Sequence, residues 1–173
     1  LRKIQCILDA CRKWGVRLVV FPEYSIPYDI LGPVSDAARG MVVVAGTHLV
    51  ERDALKSEIY QNLGVLEPPA RGTAVAPILA DGRIVGLVGK MNPAKLETGW
   101  LVPVEQWAPV SISSEGVPGG TAVMGTLICL DFLKQDERFH KMIGEQLQQC
   151  RFLTVPSLTP HYTTSEFAGK CDE

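Results

Sequence analysis

Apolar residues at Ile4, Ile7, Leu8, Cys11 and Trp14 recur at steps of three and four, with Arg2, Lys3, Asp9, Arg12 and Lys13 mostly on the other face. That period predicts an amphipathic helix over residues 1–14 whose inner stripe is those five side chains, closed by Gly15 as its C-terminal cap. Residues 18–21 (LVVF) show no alternation and read as a strand buried on both faces; Pro22 ends it and Glu23 follows at once. Residues 28–39 read as loop and short helix. Residues 41–46 (MVVVAG) form a second buried strand ending in Thr47-His48, and the charged stretch 49–59 reads as an exposed loop or helical turn.

Strands are predicted at 62–66 and 74–79, separated by the turn-rich run Glu67-Pro68-Pro69-Ala70-Arg71-Gly72. Asp81-Gly82 is a hairpin signal, and residues 83–88 return from it straight into Gly89-Lys90. Residues 110–113 make another strand, with a turn over 115–120. The apolar run 123–127 then leads through Ile128 to Cys129, Leu130 and Asp131. A polar helix is predicted over 134–149 with Phe139, Met142, Ile143 and Leu147 as its inner stripe. A buried strand at 151–155 and a loop over 156–162 follow. Helices and strands alternate at both ends around a hairpin meander, which predicts an α/β layered sandwich of mixed sheets. No internal repeat or linker interrupts the chain, so residues 1–173 read as one domain.

Composition narrows the function classes. With 46 % hydrophobic and 21 % charged residues, the chain has the balance of a folded globular domain. A net charge of −2 and the lack of any lysine or arginine block disfavour nucleic acid as a partner. No apolar run approaches the ~18 residues of a membrane helix. The five cysteines (Cys6, Cys11, Cys129, Cys150, Cys171) are odd in number and contain no CxxC pair. That argues against a disulfide framework and a structural zinc site, and reduced thiols imply the cytoplasm. No metal or cofactor is expected.

Three polar residues follow three predicted buried strands: Glu23, Lys90 and Cys129. In open α/β sheets, strand carboxyl ends are where loops carry side chains into a crevice. Each residue alone has a bland role available: a helix cap for the glutamate, a solvated surface ammonium for the lysine, a small core filler for the cysteine. Seven positions beyond Lys90 stands Glu97, followed by Thr98-Gly99-Trp100. His48 and His161 read first as structural groups.

The three together, in this order, resemble the nitrilase (carbon–nitrogen hydrolase) superfamily. Val19-Val20-Phe21-Pro22-Glu23-Tyr24-Ser25 is similar to its hydrophobic-Phe-Pro-Glu motif. Gly89-Lys90 with Glu97 and Gly99-Trp100 resembles its lysine motif and second glutamate. Thr126-Leu127-Ile128-Cys129-Leu130-Asp131 resembles its cysteine elbow, and Val155-Pro156-Ser157 its next strand end. The sequence departs from the pattern at Leu130, where an aromatic residue is common, and at Asn92-Pro93-Ala94-Lys95, which makes Lys95 a rival to Lys90. The resemblance implies a four-layer α-β-β-α sandwich, here incomplete at both ends. It also implies a homodimer or higher homo-oligomer, and a catalytic set of Glu23, Lys90, Cys129 and Glu97.

The chemistry joins these residue types. A cysteine at its free pKa of ~8.5 is mostly thiol at neutral pH, so attack needs a base such as Glu23. The Lys90 ammonium and the Leu130 N–H can hold an oxyanion, while Glu97 orients Lys90 or the substrate. The implied reaction is hydrolysis of an amide, carbamoyl or nitrile carbon–nitrogen bond through a thioester. Competing readings are a Cys-His hydrolase pairing Cys129 with His48 or His161, a catalytically inactive binding or assembly module, and an acyltransferase using the same triad. The rim expected to set substrate choice includes Tyr28, Trp100, Trp107 and Tyr162.

Overall fold

The computed structural model describes residues 1–62, 66–113, 120–134, 137–158 and 168–169, with the side chains of 137–140 and 142 outside the description. Helix α1 spans Arg2–Lys13 and ends as the glycine predicts. Gly15 takes φ +71°, its N–H donates to the Arg12 carbonyl and the Val16 N–H to that of Cys11. This doubly bonded ending satisfies carbonyls that a helix otherwise leaves open.

The inner stripe of α1 is narrower than its periodicity suggests. Leu8 is buried, and Ile4 and Cys11 pack partly against the core, but Ile7 is exposed and Trp14 is 77 % exposed. Residues 4, 8 and 11 form one line along the helix, and that line carries its apolar packing against the core; residues 7 and 14 share its flank.

Strand β1 (Leu18–Val20) pairs in parallel with β2 (Val42–Val44), Leu18 opposite Val42. It lies at the end of its sheet, so its burial is only partial and Val20 is exposed, contrary to the two-faced burial its composition predicts. Between them lie a single 3₁₀ turn (Tyr28–Ile30) and α2 (Leu31–Ala37). After β2 come β3 (His48–Leu49), α3 (Arg52–Lys56) and α4 (Glu58–Gln61). The stretch 49–59 is thus largely helical, and it buries Val50 and Ala54 despite its charge. The strand expected at 62–66 is not seen at its ends, where Asn62 is a turn and Leu66 a bend; 63–65 lie outside the described residues.

Strand β4 (Ala74–Ala80) is the spine of this first sheet. The strands β2 and β3 share one edge of it, antiparallel, and β5 (Arg83–Gly89) takes the other. Asp81 and Gly82 both adopt positive φ, 52° and 78°, the geometry of the two-residue hairpin turn. Every residue of β4 is buried, and its alternation divides two cores. Val75 and Leu79 join Val43, Leu8, Leu31 and Val34 on one face. On the other, Ala76 and Ile78 join Val44, Val88, Ile112, Met124 and Ile128.

That second core is where the two sheets meet. The second sheet has the order β6 (Val110–Ser113), β7 (Thr121–Thr126), β8 (Phe152–Thr154), with β6–β7 antiparallel and β7–β8 parallel. Approach between the sheets is close: a Cβ on Gly86 of β5 would stand 2.6 Å from Cγ2 of Val110. Two helices, α5 (Leu130–Leu133) and α6 (Glu137–Leu147), separate β7 from β8. Ile143 is fully buried in the shared core and Leu147 packs against it, as expected; Phe139 and Met142 are among the side chains outside the description. The protein is therefore a mixed α/β fold of two sheets.

Candidate active site

The three strand ends converge. Glu23 sits in the turn after β1, Lys90 immediately after β5, and Cys129 between β7 and α5. Buried backbone groups anchor each. The Phe21 N–H donates to the Val44 carbonyl, the Lys90 N–H to that of Ala74, and the Cys129 N–H to that of Pro156. Pairing beside β8 thus continues past the strand, and places residues 155–158 against the cysteine.

Lys90 is fully buried, at 0 % exposure, and its Nζ donates to Glu23 Oε1 at 2.6 Å and to Glu97 Oε1 at 2.8 Å. Oε2 of Glu97 is also 2.6 Å away. Neither glutamate faces solvent, which removes the capping and surface roles open to each in the sequence. Lys95, the rival lysine, is exposed. Burial pulls the Lys90 pKa down, yet the hydrogen bonds and charges of Glu23 and Glu97 outweigh it and leave it above the ordinary lysine value. For Glu97, burial pushes up, but Lys90, the Tyr24 hydroxyl and the Ala94 N–H donate to its carboxylate and bring it below the usual value.

Two residues beyond the expected set complete this network. Tyr24 takes φ +57°, its N–H donates to Thr47 Oγ1 at 3.2 Å, and its hydroxyl donates to Glu97 Oε1. The Ala94 N–H donates to Glu97 Oε2 at 2.5 Å. Asp131, two residues after the cysteine, is fully buried and accepts from the backbone of Met91 and Asn92. Both residues sit inside the quoted motifs, and that position is the one sequence signal that marks them.

Cys129 occupies a strained elbow, with φ +50° on a residue that carries a Cβ. Glu23, Lys90 and the Leu158 backbone are the groups that act on its thiol. Burial first, then the neighbouring Glu23 charge, push it up to about 11, against the opposing pull of Lys90. Among the described residues the Leu130 N–H, directly after the cysteine, has no hydrogen-bond acceptor.

The other candidates fall elsewhere. His48 Nε2 is hydrogen-bonded to the Tyr60 hydroxyl at 2.7 Å, and the ring packs on Tyr60 and Tyr28. It is not among the groups acting on the Cys129 thiol. His161 and Tyr162 lie outside the described residues. Trp107 is buried, its Nε1 donating to the Thr126 carbonyl at 2.7 Å, so it supports β7 rather than lining a rim. Trp100 is exposed, with Nε1 donating to the Leu96 carbonyl. A cavity of about 350 Å³ opens beside Tyr28, Asp36, Glu58 and Arg83, and none of the converging residues lines it. Among the described residues no three His, Cys, Asp or Glu side chains could hold a metal ion, and no helix is long and apolar enough to cross a membrane. Cys6, Cys11, Cys129 and Cys150 are free thiols; Cys171 is outside the described residues.

No protein-family model matches this chain, and no curated protein sequence does. Solved structures do. A cysteine-to-serine mutant of the Nesterenkonia AN1 amidase, from the nitrilase superfamily, superposes with TM-score 0.59 at 18 % identity, over 95 % of this chain and 61 % of that one. A second mutant of the same amidase, with the acetamide moiety of fluoroacetamide added covalently at its active site cysteine, gives 0.58 at 18 % identity, over 95 % and 60 %. The glutamine-dependent NAD+ synthetase of Acinetobacter baumannii gives 0.60 at 17 % identity, over 92 % and 29 %. The chain has the fold found in nitrilase-superfamily amidases. It spans about three fifths of the length of the amidase structures it matches.

Proposed function

We propose that this protein hydrolyses non-peptide carbon–nitrogen bonds through a thioester on Cys129, with small amides as the leading substrate class and carbamoyl compounds and nitriles as the others. The observation that carries this reading is Lys90 Nζ held 2.6 Å from Glu23, the same glutamate whose charge acts on the Cys129 thiol. A half-buried thiol beside a carboxylate that also holds an ammonium is arranged for attack coupled to proton transfer.

For an amide, Sγ attacks the carbonyl carbon as its proton passes to Glu23. The Lys90 ammonium and the Leu130 N–H take the oxyanion, an arrangement typically worth on the order of 10²-fold or more per donor. Glu23 returns the proton to the departing nitrogen as the carbon–nitrogen bond breaks, leaving the thioester and free ammonia or amine. A water then gives its proton to Glu23 and attacks the thioester, and Cys129 leaves as the thiol with the acid released. Glu97 keeps Lys90 aimed at the oxyanion. The amidase neighbour modified at its active site cysteine supports the amide class.

The finer architecture belongs to the same reading: a four-layer α-β-β-α sandwich and one domain over residues 1–173. A homodimer or larger homo-oligomer and a cytoplasmic setting complete it. The test is ammonia release from a panel of small amides, carbamoyl amino acids and nitriles, with Cys129→Ala alongside. Release that vanishes in the variant supports the hydrolase. Acyl transfer to an added amine in place of release supports the acyltransferase. No turnover by a folded wild type supports a binding or assembly module.

A further inference from the structure

Asp131 is a fully buried carboxylate that lies outside the proposed reaction. Its Oδ1 accepts from the Asn92 N–H at 2.6 Å and from Asn92 Nδ2 at 3.1 Å, and the Met91 N–H stands 3.2 Å from both Oδ1 and Oδ2. Its own N–H donates to the Ile128 carbonyl at 3.0 Å, inside the cysteine elbow. Met91 and Asn92 are the two residues directly after Lys90. One side chain therefore ties the loop that carries the ammonium to the turn that carries the sulfur, and the two belong to different sheets.

We infer that Asp131 is a positioning residue: its carboxylate clamps the Met91–Asn92 backbone to the Cys129 elbow, and so sets where Lys90 stands relative to the sulfur. A charge is suited to this task. A buried carboxylate takes several N–H donors at once, and each bond it makes is stronger than one to a neutral acceptor. Burial pushes this carboxyl up to about 6, against the donors of Met91 and Asn92 and the Lys90 charge that favour its ionised form. This inference rests on the hydrolase reading for its effect on turnover, but not for its effect on the thiol.

The test is Asp131→Asn, close to the same shape with half the acceptor capacity and a competing donor. Turnover per folded molecule is expected to fall by about 10²-fold, as for a misplacement of roughly 1 Å, with KM little changed. The pH profile of Cys129 alkylation by iodoacetamide, followed on its peptide by mass spectrometry, is expected to move to higher pH as Lys90 draws away. Ile143→Val, which loosens the same core, serves as the control: it lowers stability and leaves the alkylation profile in place. A folded Asp131→Asn protein with wild-type turnover and an unmoved profile overturns the inference. A wild type without hydrolysis defeats the hydrolase reading alone, since the alkylation shift still decides the role of Asp131. If Asp131→Asn does not fold, Asn92→Ala removes one of the contacts. Both readouts then move the same way by less, and no movement in either overturns the clamp.

Discussion

Gly46 and Pro22 touch backbone to backbone: a Cβ on residue 46 would stand 2.1 Å from the Pro22 carbonyl oxygen. Gly46 also holds φ +67°. This contact seats the turn that aims Glu23, because Pro22 immediately precedes it. Gly46→Ala combines overpacking with a left-handed backbone, a cost of roughly 2–4 kcal/mol. Gly40→Ala, at φ +78° with nothing within 4 Å, suffers only the backbone term, about 1 kcal/mol. Urea unfolding of both variants checks this, and equal losses would refute the contact's role.

Lys90→Met leaves Glu23 and Glu97 buried with no cation between them. Breaking such a pair costs about 3–5 kcal/mol. The pH dependence also reverses. In the wild type Glu97 is held below its ordinary value of 4.5, so its contribution is present above that pH and is lost as pH falls through the depressed value. In the variant the cation that outweighs burial at Glu97 is gone, so that carboxyl resists ionisation, and stability is greatest in acid and drains away as pH rises. Unfolding midpoints at about pH 4 and about pH 8 should change in opposite directions for the two proteins.

The Cys129 thiol and the proposed base can be uncoupled. Glu23→Gln removes the charge that helps push the thiol up to about 11, while Lys90 keeps Glu97 as partner. The midpoint of Cys129 alkylation is expected at lower pH in this variant. Ammonia release is nevertheless expected to fall by about 10²-fold or more, because the base is gone. A more acidic nucleophile would then accompany a slower enzyme. If release instead rose with the ionised thiol, Glu23 would not be the base.

Acid sensitivity has a source outside the hydrogen bonds that join Glu23, Lys90 and Glu97. Burial lowers His48 to about 4 from an ordinary 6.5, and its Nδ1 has no hydrogen-bond partner among the described residues. The neutral ring's contribution is whole above about pH 6.5 and is lost as pH falls through 4, on the order of 3 kcal/mol in all. Asp131, raised to about 6, titrates in the opposite sense across the same range. The informative quantity is therefore the difference in unfolding free energy between wild type and His48→Phe, which should shrink steadily toward acid. A difference that does not change with pH would show that His48 is not the group responsible.

What the sequence discloses is what a short stretch decides for itself. The Asp81-Gly82 turn needs two positive φ angles, and the pair supplies them. Glu23, Lys90 and Cys129 each close a strand, so their positions could be read one motif at a time. The joints between them could not. Tyr24 reaches Glu97 across 73 positions and Asn92 reaches Asp131 across 39, and no local period encodes such a meeting. The same holds for β1: its composition is that of an interior strand, and only the order of strands leaves Val20 in the open. On α1, periodicity marks the apolar side without saying how much of it finds a neighbour, which is why it includes Ile7 and Trp14 though both are exposed.

The division of the constellation between two sheets has a consequence for how the molecule comes apart. Glu23 and Lys90 ride on the first sheet and Cys129 on the second, with the apolar seam around Ala76, Ile78, Ile112 and Met124 between them. Neither sheet owns the site; the seam does. A partial opening that leaves both sheets hydrogen-bonded would separate the sulfur from Glu23 and Lys90, so Cys129 is expected to become an ordinary, readily labelled thiol before helix or strand content changes. The chemistry of one sulfur thereby reports the mating of two sheets, and its loss marks the first parting of the fold rather than its melting.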